Sequence, residues 1–383
     1  MADIFTPPPE PKTELGRHRI LSPSAGIRVS PLQLGGMSIG DAWTAGMGKT
    51  SKQACFELLD SFVEAGGNFV DTANNYQDGQ SETWIGEWMI ERGNRESLVI
   101  ATKYTAHPHL HDRGKGPHSV NTSGNHKRSM FMSLNESLKR LQTGFVDIFY
   151  VHWWDWSTSI EEIMDSLHIL VSQGKTMYLG ISDSPAWVVS AANTYARAHG
   201  KTPFSIYQGR WNVMARDFER EILPMAAYHG LALAPWDVLG GGKFQTEQAL
   251  KDRQKSGEGL RALLGAEQTE QEKKVSAALA KVAKEQGSES VTAIALAYVL
   301  AKAPYVFPIM GGRKTKHLEQ NIKALTLKLT DDQVKYLESV TPLDVGFPGN
   351  FIGTDPKSGG TGGLTGNYSH LSWVQSPKAI GRE

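Results

Sequence analysis

Residues 67–103 read GNFVDTANNYQDGQSETWIGEWMIERGNRESLVIATK, and this stretch decides the fold. It opens on a short apolar run, Asn68–Asp71, that ends in a carboxylate. A polar turn follows, then a helical pattern over Ser81–Glu91. A second apolar run, Leu98–Lys103, ends in an ammonium. Strand, helix and strand in this order make a βαβ unit. Strands that read apolar on both faces belong to a parallel sheet covered on both sides.

Working outward, the rhythm continues. Leu32–Leu34 precedes the unit, and Val146–His152, Met177–Ser182, Phe204–Gln208, Leu231–Trp236 and Tyr305–Met310 follow it, eight strand candidates in all. Helical patterns lie between them over Ser51–Ala65, Met130–Leu141, Pro185–His199, Phe218–His229, Ser276–Glu285, Val291–Ala301 and Lys314–Ala324. A capping box at Thr158–Glu161 opens another helix that runs to Gln173, and Thr330–Gln333 opens the last. Eight such units closing once predict a single (β/α)8 barrel. His18–Pro31 reads as a hairpin in front of it. The expected layout is a disordered tail over 1–17, the barrel over 18–343, and a Gly-rich extension over 344–383. The long polar loop Tyr104–Arg128 and the extension are the candidates for a lid.

Composition narrows the function. The chain has 383 residues, and 40 Lys+Arg balance 40 Asp+Glu, which argues against nucleic-acid binding. A lone cysteine, Cys55, forms no internal disulfide and holds no Cys-based zinc or iron–sulfur site. The N-terminal residues lack a basic start and an apolar run, and no stretch approaches the roughly 20 apolar residues of a membrane span. The expected location is the cytoplasm. Gly48-Lys49-Thr50 and Gly174-Lys175-Thr176 imitate the end of a P-loop but lack its first glycine, and no GxGxxG follows the first strand. His107, His109 and His111 read as a solvated loop rather than a metal site, since no carboxylate or Cys cluster accompanies them.

The chemistry gathers where strands end. A barrel brings Asp71, Lys103 and His152 together at the C-terminal ends of neighbouring strands, and Tyr76 follows Asp71 in the next loop. Singly, each has an ordinary structural reading. Together they make a tuned acid. A phenol with its usual pKa of about 10 is a weak proton donor near neutrality. A nearby ammonium lowers that value, a carboxylate keeps the buried ammonium charged, and a histidine beside the phenol orients a carbonyl.

In these residues, over roughly 28–340, the chain resembles the aldo-keto reductases. That resemblance implies carbonyl reduction by NADP(H) through the tetrad Asp71, Tyr76, Lys103 and His152. It also implies cofactor contacts. Ser182, Asp183 (where the family usually has Asn) and Gln208 would hold the carboxamide, with Asp71 nearby, and Trp211 would stack on the nicotinamide. Asp237, Leu239, Gly241 and Lys243 would cover the pyrophosphate. Gly312, Arg313, Lys314, Gln320 and Asn321 would grip the adenosine 2′-phosphate and the adenine, so NADP is expected over NAD. The runs Asp112–Pro117, Gly124–Ser129 and His152–Trp156 and the Gly-rich tail resemble the fungal aryl-alcohol dehydrogenase branch, which includes the norsolorinic acid reductase-like proteins of secondary metabolism. The implied substrates are aromatic aldehydes, ketones or their alcohols, held by His152, Trp43 and Trp153, with Trp154 nearby. Two other readings stay open: an NADP-binding regulatory subunit like the potassium-channel β-subunits, and a barrel enzyme using Lys103 as a Schiff base.

Overall fold

The computed structural model describes residues 6–109, 119–255, 267–358, 360–368 and 370–380. An antiparallel hairpin, β1 (Arg19–Ser22) and β2 (Ala25–Val29), leads into eight parallel strands. These are β3 (Gln33–Gly35), β4 (Phe69–Asp71), β5 (Val99–Tyr104), β6 (Val146–Val151), β7 (Thr176–Ser182), β8 (Phe204–Arg210), β9 (Ala232–Trp236) and β10 (Ile309–Met310). They lie side by side in the order β10-β3-β4-β5-β6-β7-β8-β9. The ring closes just before β10. Leu233 N–H donates to the Tyr305 carbonyl at 2.9 Å, and Phe307 N–H donates to the Leu233 carbonyl at 2.8 Å. The chain thus forms the (β/α)8 barrel that its alternating units predict.

Helices return the chain from each strand to the next. They are α1 (Thr44–Met47) with α2 (Lys52–Glu64), α3 (Gln80–Arg92), α4 (Lys127–Arg140), α5 (Ile160–Ser172), α6 (Ala186–Ala198) and α7 (Phe218–His229). Three more, α8 (Glu247–Lys255), α9 (Glu270–Glu285) and α10 (Val291–Lys302), separate β9 from β10. α11 (Thr315–Ile322) and α12 (Asp331–Val340) follow β10. Thr330 and Gln333 form the expected capping box of α12. At α5 the cap moves by one residue: Ser159 Oγ accepts from Glu162 N–H at 3.2 Å. Thr158 is drawn away because its hydroxyl and its amide both donate to Asp155. α9 also starts earlier than its apolar pattern, at a capping box of Thr269 and Glu272.

Strand residues face alternately inward and outward. Phe69, Val99, Ala101, Ile148, Tyr150, Ile206, Ala232, Ala234 and Phe307 fill the barrel interior in one buried cluster. Their neighbours Val70, Ile100, Phe149, Val151, Leu179, Ile181 and Leu233 belong to the larger cluster between sheet and helices. Gly180 is required by this packing, because a Cβ there would lie 2.4 Å from the Tyr150 ring.

The hairpin closes one end. Leu21, Ala25 and Val29 join the interior cluster. Asn68, at the start of β4, donates to the Arg28 carbonyl, and Ser24 donates to the Gly230 carbonyl just before β9. The segment expected as a disordered tail is anchored from Thr13 onward. Thr13 Oγ1 donates to the Ala65 carbonyl at 2.6 Å, and Leu15 is fully buried in the outer cluster. Beyond α12 the extension carries two short helical turns, α13 (Gly349–Ile352) and α14 (Gly363–Gly366). Among the described residues no helix is long and apolar enough to cross a membrane.

Candidate active site

The inward face does not stop at the apolar cluster. One further step of two residues along each strand reaches a polar group at its C-terminal end. Phe69 leads to Asp71, and Ala101 to Lys103. Tyr150 leads to His152, Gly180 to Ser182, and Ile206 to Gln208. The same period that fills the core therefore builds the site above it.

Tyr76 comes from the loop after β4. Its turn runs through Gln77, Asp78 and Gly79 at φ +51, +57 and +91, all in the left-handed region. Such a turn is costly for Gln and Asp, about 1–3 kcal/mol each, and neighbours hold it. Gln77 accepts from Trp43 N–H at 2.7 Å and donates to the Met37 carbonyl at 2.9 Å. The Trp43 indole donates to Asp78 at 2.9 Å.

The four groups meet at this end of the barrel. Lys103 Nζ donates to Asp71 Oδ2 at 2.6 Å and to the Thr72 carbonyl at 2.7 Å. Both side chains are buried, at 0% and 3% exposure. The ammonium lies 5.1 Å from the centre of the Tyr76 ring. The Tyr76 and His152 rings stand edge to face, 5.8 Å apart. Burial pulls the Lys103 pKa below its usual value, and Asp71 pulls it back. Burial and the Lys103 charge push His152 well below the usual histidine value, so its imidazole is neutral near pH 7.

Aromatic groups flank the pair. Trp43 packs edge-on against Tyr76 at 6.4 Å, and Trp153 lies 4.9 Å from His152 while staying 38% exposed. Trp154 instead packs against the outer cluster.

The cofactor candidates divide. Several polar atoms at the open end are buried without a partner among the described residues: His152 Nδ1, Ser182 Oγ and Asp237 Oδ1. Beside them Gly240, Gly241 and Gly242 all take positive φ, which presents backbone rather than side chains. Unsatisfied polar atoms and bare backbone together suit a polar ligand such as a dinucleotide phosphate. Gln208 Nε2 donates to Asp71 Oδ1 at 3.0 Å and so belongs to the tetrad's own network. Leu239 packs against the outer cluster. Gly312, Lys314 and Asn321 line a shallow cavity at the start of α11, with Gln320 next to Asn321. Arg313 reaches back to the Lys49 carbonyl and lies against Gly48, where a Cβ would come within 1.9 Å of it.

Two expectations need correction. Trp211 is fully buried. Its ring stacks on Phe218 at 5.0 Å and its indole donates to Glu219, so it has no face for a ligand. It lies beyond β8 and joins the outer cluster. The aromatic at the site is Trp236, one step beyond Ala232 and Ala234 on the inward face of β9. It is half-buried, and its indole donates to Asp183 Oδ1 at 3.1 Å. The alternation of β9 was the signal that could have found it. Lys243, expected at a phosphate, is 4% exposed and pairs with Glu272 of α9 at 3.1 Å. His107 accepts from the His109 amide, while His111 and Asp112–Pro117 lie outside the described residues.

Residues 31–342 match the aldo/keto reductase family. The aldo-keto reductase ausK of Aspergillus calidoustus is 57% identical over 99% of this chain and 96% of its own length. AAD14 of Saccharomyces cerevisiae, named as an aryl-alcohol dehydrogenase, is 62% identical over 93% of this chain and 95% of its own length. The aryl-alcohol dehydrogenase (NADP(+)) of Phanerodontia chrysosporium is 53% identical over 90% of this chain and 91% of its own length.

Proposed function

The chain belongs to the aldo/keto reductase family, and on that footing we propose that it interconverts aromatic aldehydes or ketones and their alcohols with NADP(H), using Tyr76 as the proton donor. The oxidoreductase class and the NADP cofactor follow the family and the relatives' names. The observation that carries the residue assignment is the convergence of a buried Lys103–Asp71 pair, Tyr76 and a neutral His152 at one end of the barrel.

When bound, the nicotinamide supplies or accepts the hydride. The protein's part is the proton. Tyr76 gives its hydroxyl proton to the carbonyl oxygen during reduction and takes it back during oxidation. Lys103 stabilises the phenolate left behind, because a cation close to the ring favours the charged form. Asp71 keeps that cation charged against the pull of burial. His152, held neutral, donates a hydrogen bond to the same oxygen without competing as an acid. Ser182 Oγ, Asp183 and Asp237 are the groups that would hold the cofactor, and Trp236 offers it an aromatic face. Trp43 and Trp153 flank Tyr76 and His152 and favour an aromatic substrate.

The test is NADPH oxidation with a panel of aromatic aldehydes, run beside Tyr76→Phe. The variant should bind NADPH by fluorescence quenching and lose about a hundredfold or more in turnover. Tight NADPH binding by the wild type with no turnover on any carbonyl would overturn the enzyme assignment in favour of a regulatory subunit.

A further inference from the structure

Asp183 stands out by its charge balance. Three carboxylates around the open end have a cation: Asp71 has Lys103 at 2.6 Å, Asp237 has Arg210 at 2.8 Å, and Glu272 has Lys243 at 3.1 Å. Among the described residues no cation comes within 4.0 Å of Asp183. The neutral indole of Trp236 donates to its Oδ1 at 3.1 Å. Lys103 is near enough to act on it electrostatically, but that charge is already matched by Asp71.

The backbone fixes where this carboxylate sits. Asp183 follows the last residue of β7 and takes φ +40, in the left-handed region. Its amide donates to the Gln208 carbonyl at 3.1 Å, which ties the turn to β8. The residue stays exposed while Ser182 beside it is buried. A non-glycine residue in a left-handed turn, pinned by two hydrogen bonds and carrying an unbalanced charge, is an expensive arrangement for a loop.

Hydride exchange brings a nicotinamide ring against the carbonyl carbon whose oxygen Tyr76 and His152 hold. That ring is cationic when oxidised and neutral when reduced. The Lys103–Asp71 pair sums to zero and discriminates weakly between the two forms. An unbalanced carboxylate beside the pair discriminates strongly, because its attraction acts on the oxidised ring alone. We infer that Asp183 makes this site prefer the oxidised dinucleotide over the reduced one. The inference rests on the reading of the site as an NADP(H) site.

Asp183→Asn separates charge from geometry. Asparagine tolerates left-handed φ and still accepts from Trp236 through Oδ1. Dissociation constants for NADP+ and NADPH are measured by isothermal titration on both proteins, without any turnover. The wild type should hold NADP+ more tightly than the variant does, and the NADPH-to-NADP+ ratio of constants should fall about tenfold in the variant. A ratio unchanged within about twofold, with both forms still bound, overturns the inference and leaves the cofactor site standing. A wild type that binds neither form sinks the underlying reading instead. Should Asp183→Asn lose its native circular dichroism, Asp183→Ser gives the same comparison.

Discussion

The two ends of the barrel are built from one pattern and end differently. At the closed end the inward positions stay apolar, and Leu21, Ala25 and Val29 of the hairpin seal them. At the open end the same inward positions become Asp71, Lys103, His152, Ser182, Gln208 and Trp236. Burying a charge costs several kcal/mol unless it is paired, so the open end carries groups that the closed end would not tolerate. The apolar middle lends rigidity to both. What separates core from site here is position along the strand, not a change of local structure.

The largest effect that would sharpen this contrast comes from Lys103→Met. It strands Asp71, which is 2% exposed, without its partner. Turnover should fall about a thousandfold, within the usual range for losing a proton-transfer group, and stability should fall by about 3–5 kcal/mol. Adding Asp71→Asn should restore much of the melting temperature and none of the turnover. Recovery of both together would show that the pair only supports the fold.

Leu21→Ala tests the other end. The side chain is fully buried, so its loss should cost about 2–5 kcal/mol in denaturant unfolding. NADPH affinity and kcat should hold at temperatures where the variant is folded. A fall in kcat without a fall in cofactor affinity would break the separation of the two ends.

A smaller effect concerns pH. Loss of hydration around the carboxyl raises Asp183 to about 6, partly offset by Trp236, Lys103 and Ser182. Lys103 from β5, Ser182 from β7, Tyr207 from β8 and Trp236 from β9 act on it or are acted on by it. The carboxylate is charged above that value and neutral below it. The preference for NADP+ over NADPH should therefore be full near pH 7.5 and fade as pH falls through 6 toward 5, by up to about tenfold. Both dinucleotides carry the same 2′-phosphate, so its titration cancels in the ratio. Asp183→Asn should give a flat profile, and a wild-type ratio that stays flat would remove Asp183 from the account.

Much of this was legible in the sequence because it depends on short periods. Asp71, Lys103 and His152 end runs of apolar residues, and the parallel strand order carries them together. Tyr76 was legible as a loop residue five places after Asp71. Trp211 misled because it stands near a strand end but falls outside the inward set. Trp236 was missed although Ala232 and Ala234 point to it. Lys243 could not be read correctly, since its partner Glu272 is 29 residues away on a helix whose start the apolar pattern did not mark. The Ser159 cap depended on Asp155 claiming Thr158 first. Local periods reveal which face a residue takes, whereas competition between distant polar groups appears only once the chain is folded.

The hairpin seal has a consequence for traffic. Side chains fill the barrel interior and Leu21, Ala25 and Val29 cap its far end, so the open side is the doorway through which molecules using the site arrive and depart. Visitors to such a room queue. Whichever reactant lies deeper must enter first and leave last, and a lingering product blocks the next arrival even when it competes for no contact. The rhythm of turnover then depends on the order of departures at the doorway as well as on the chemical step.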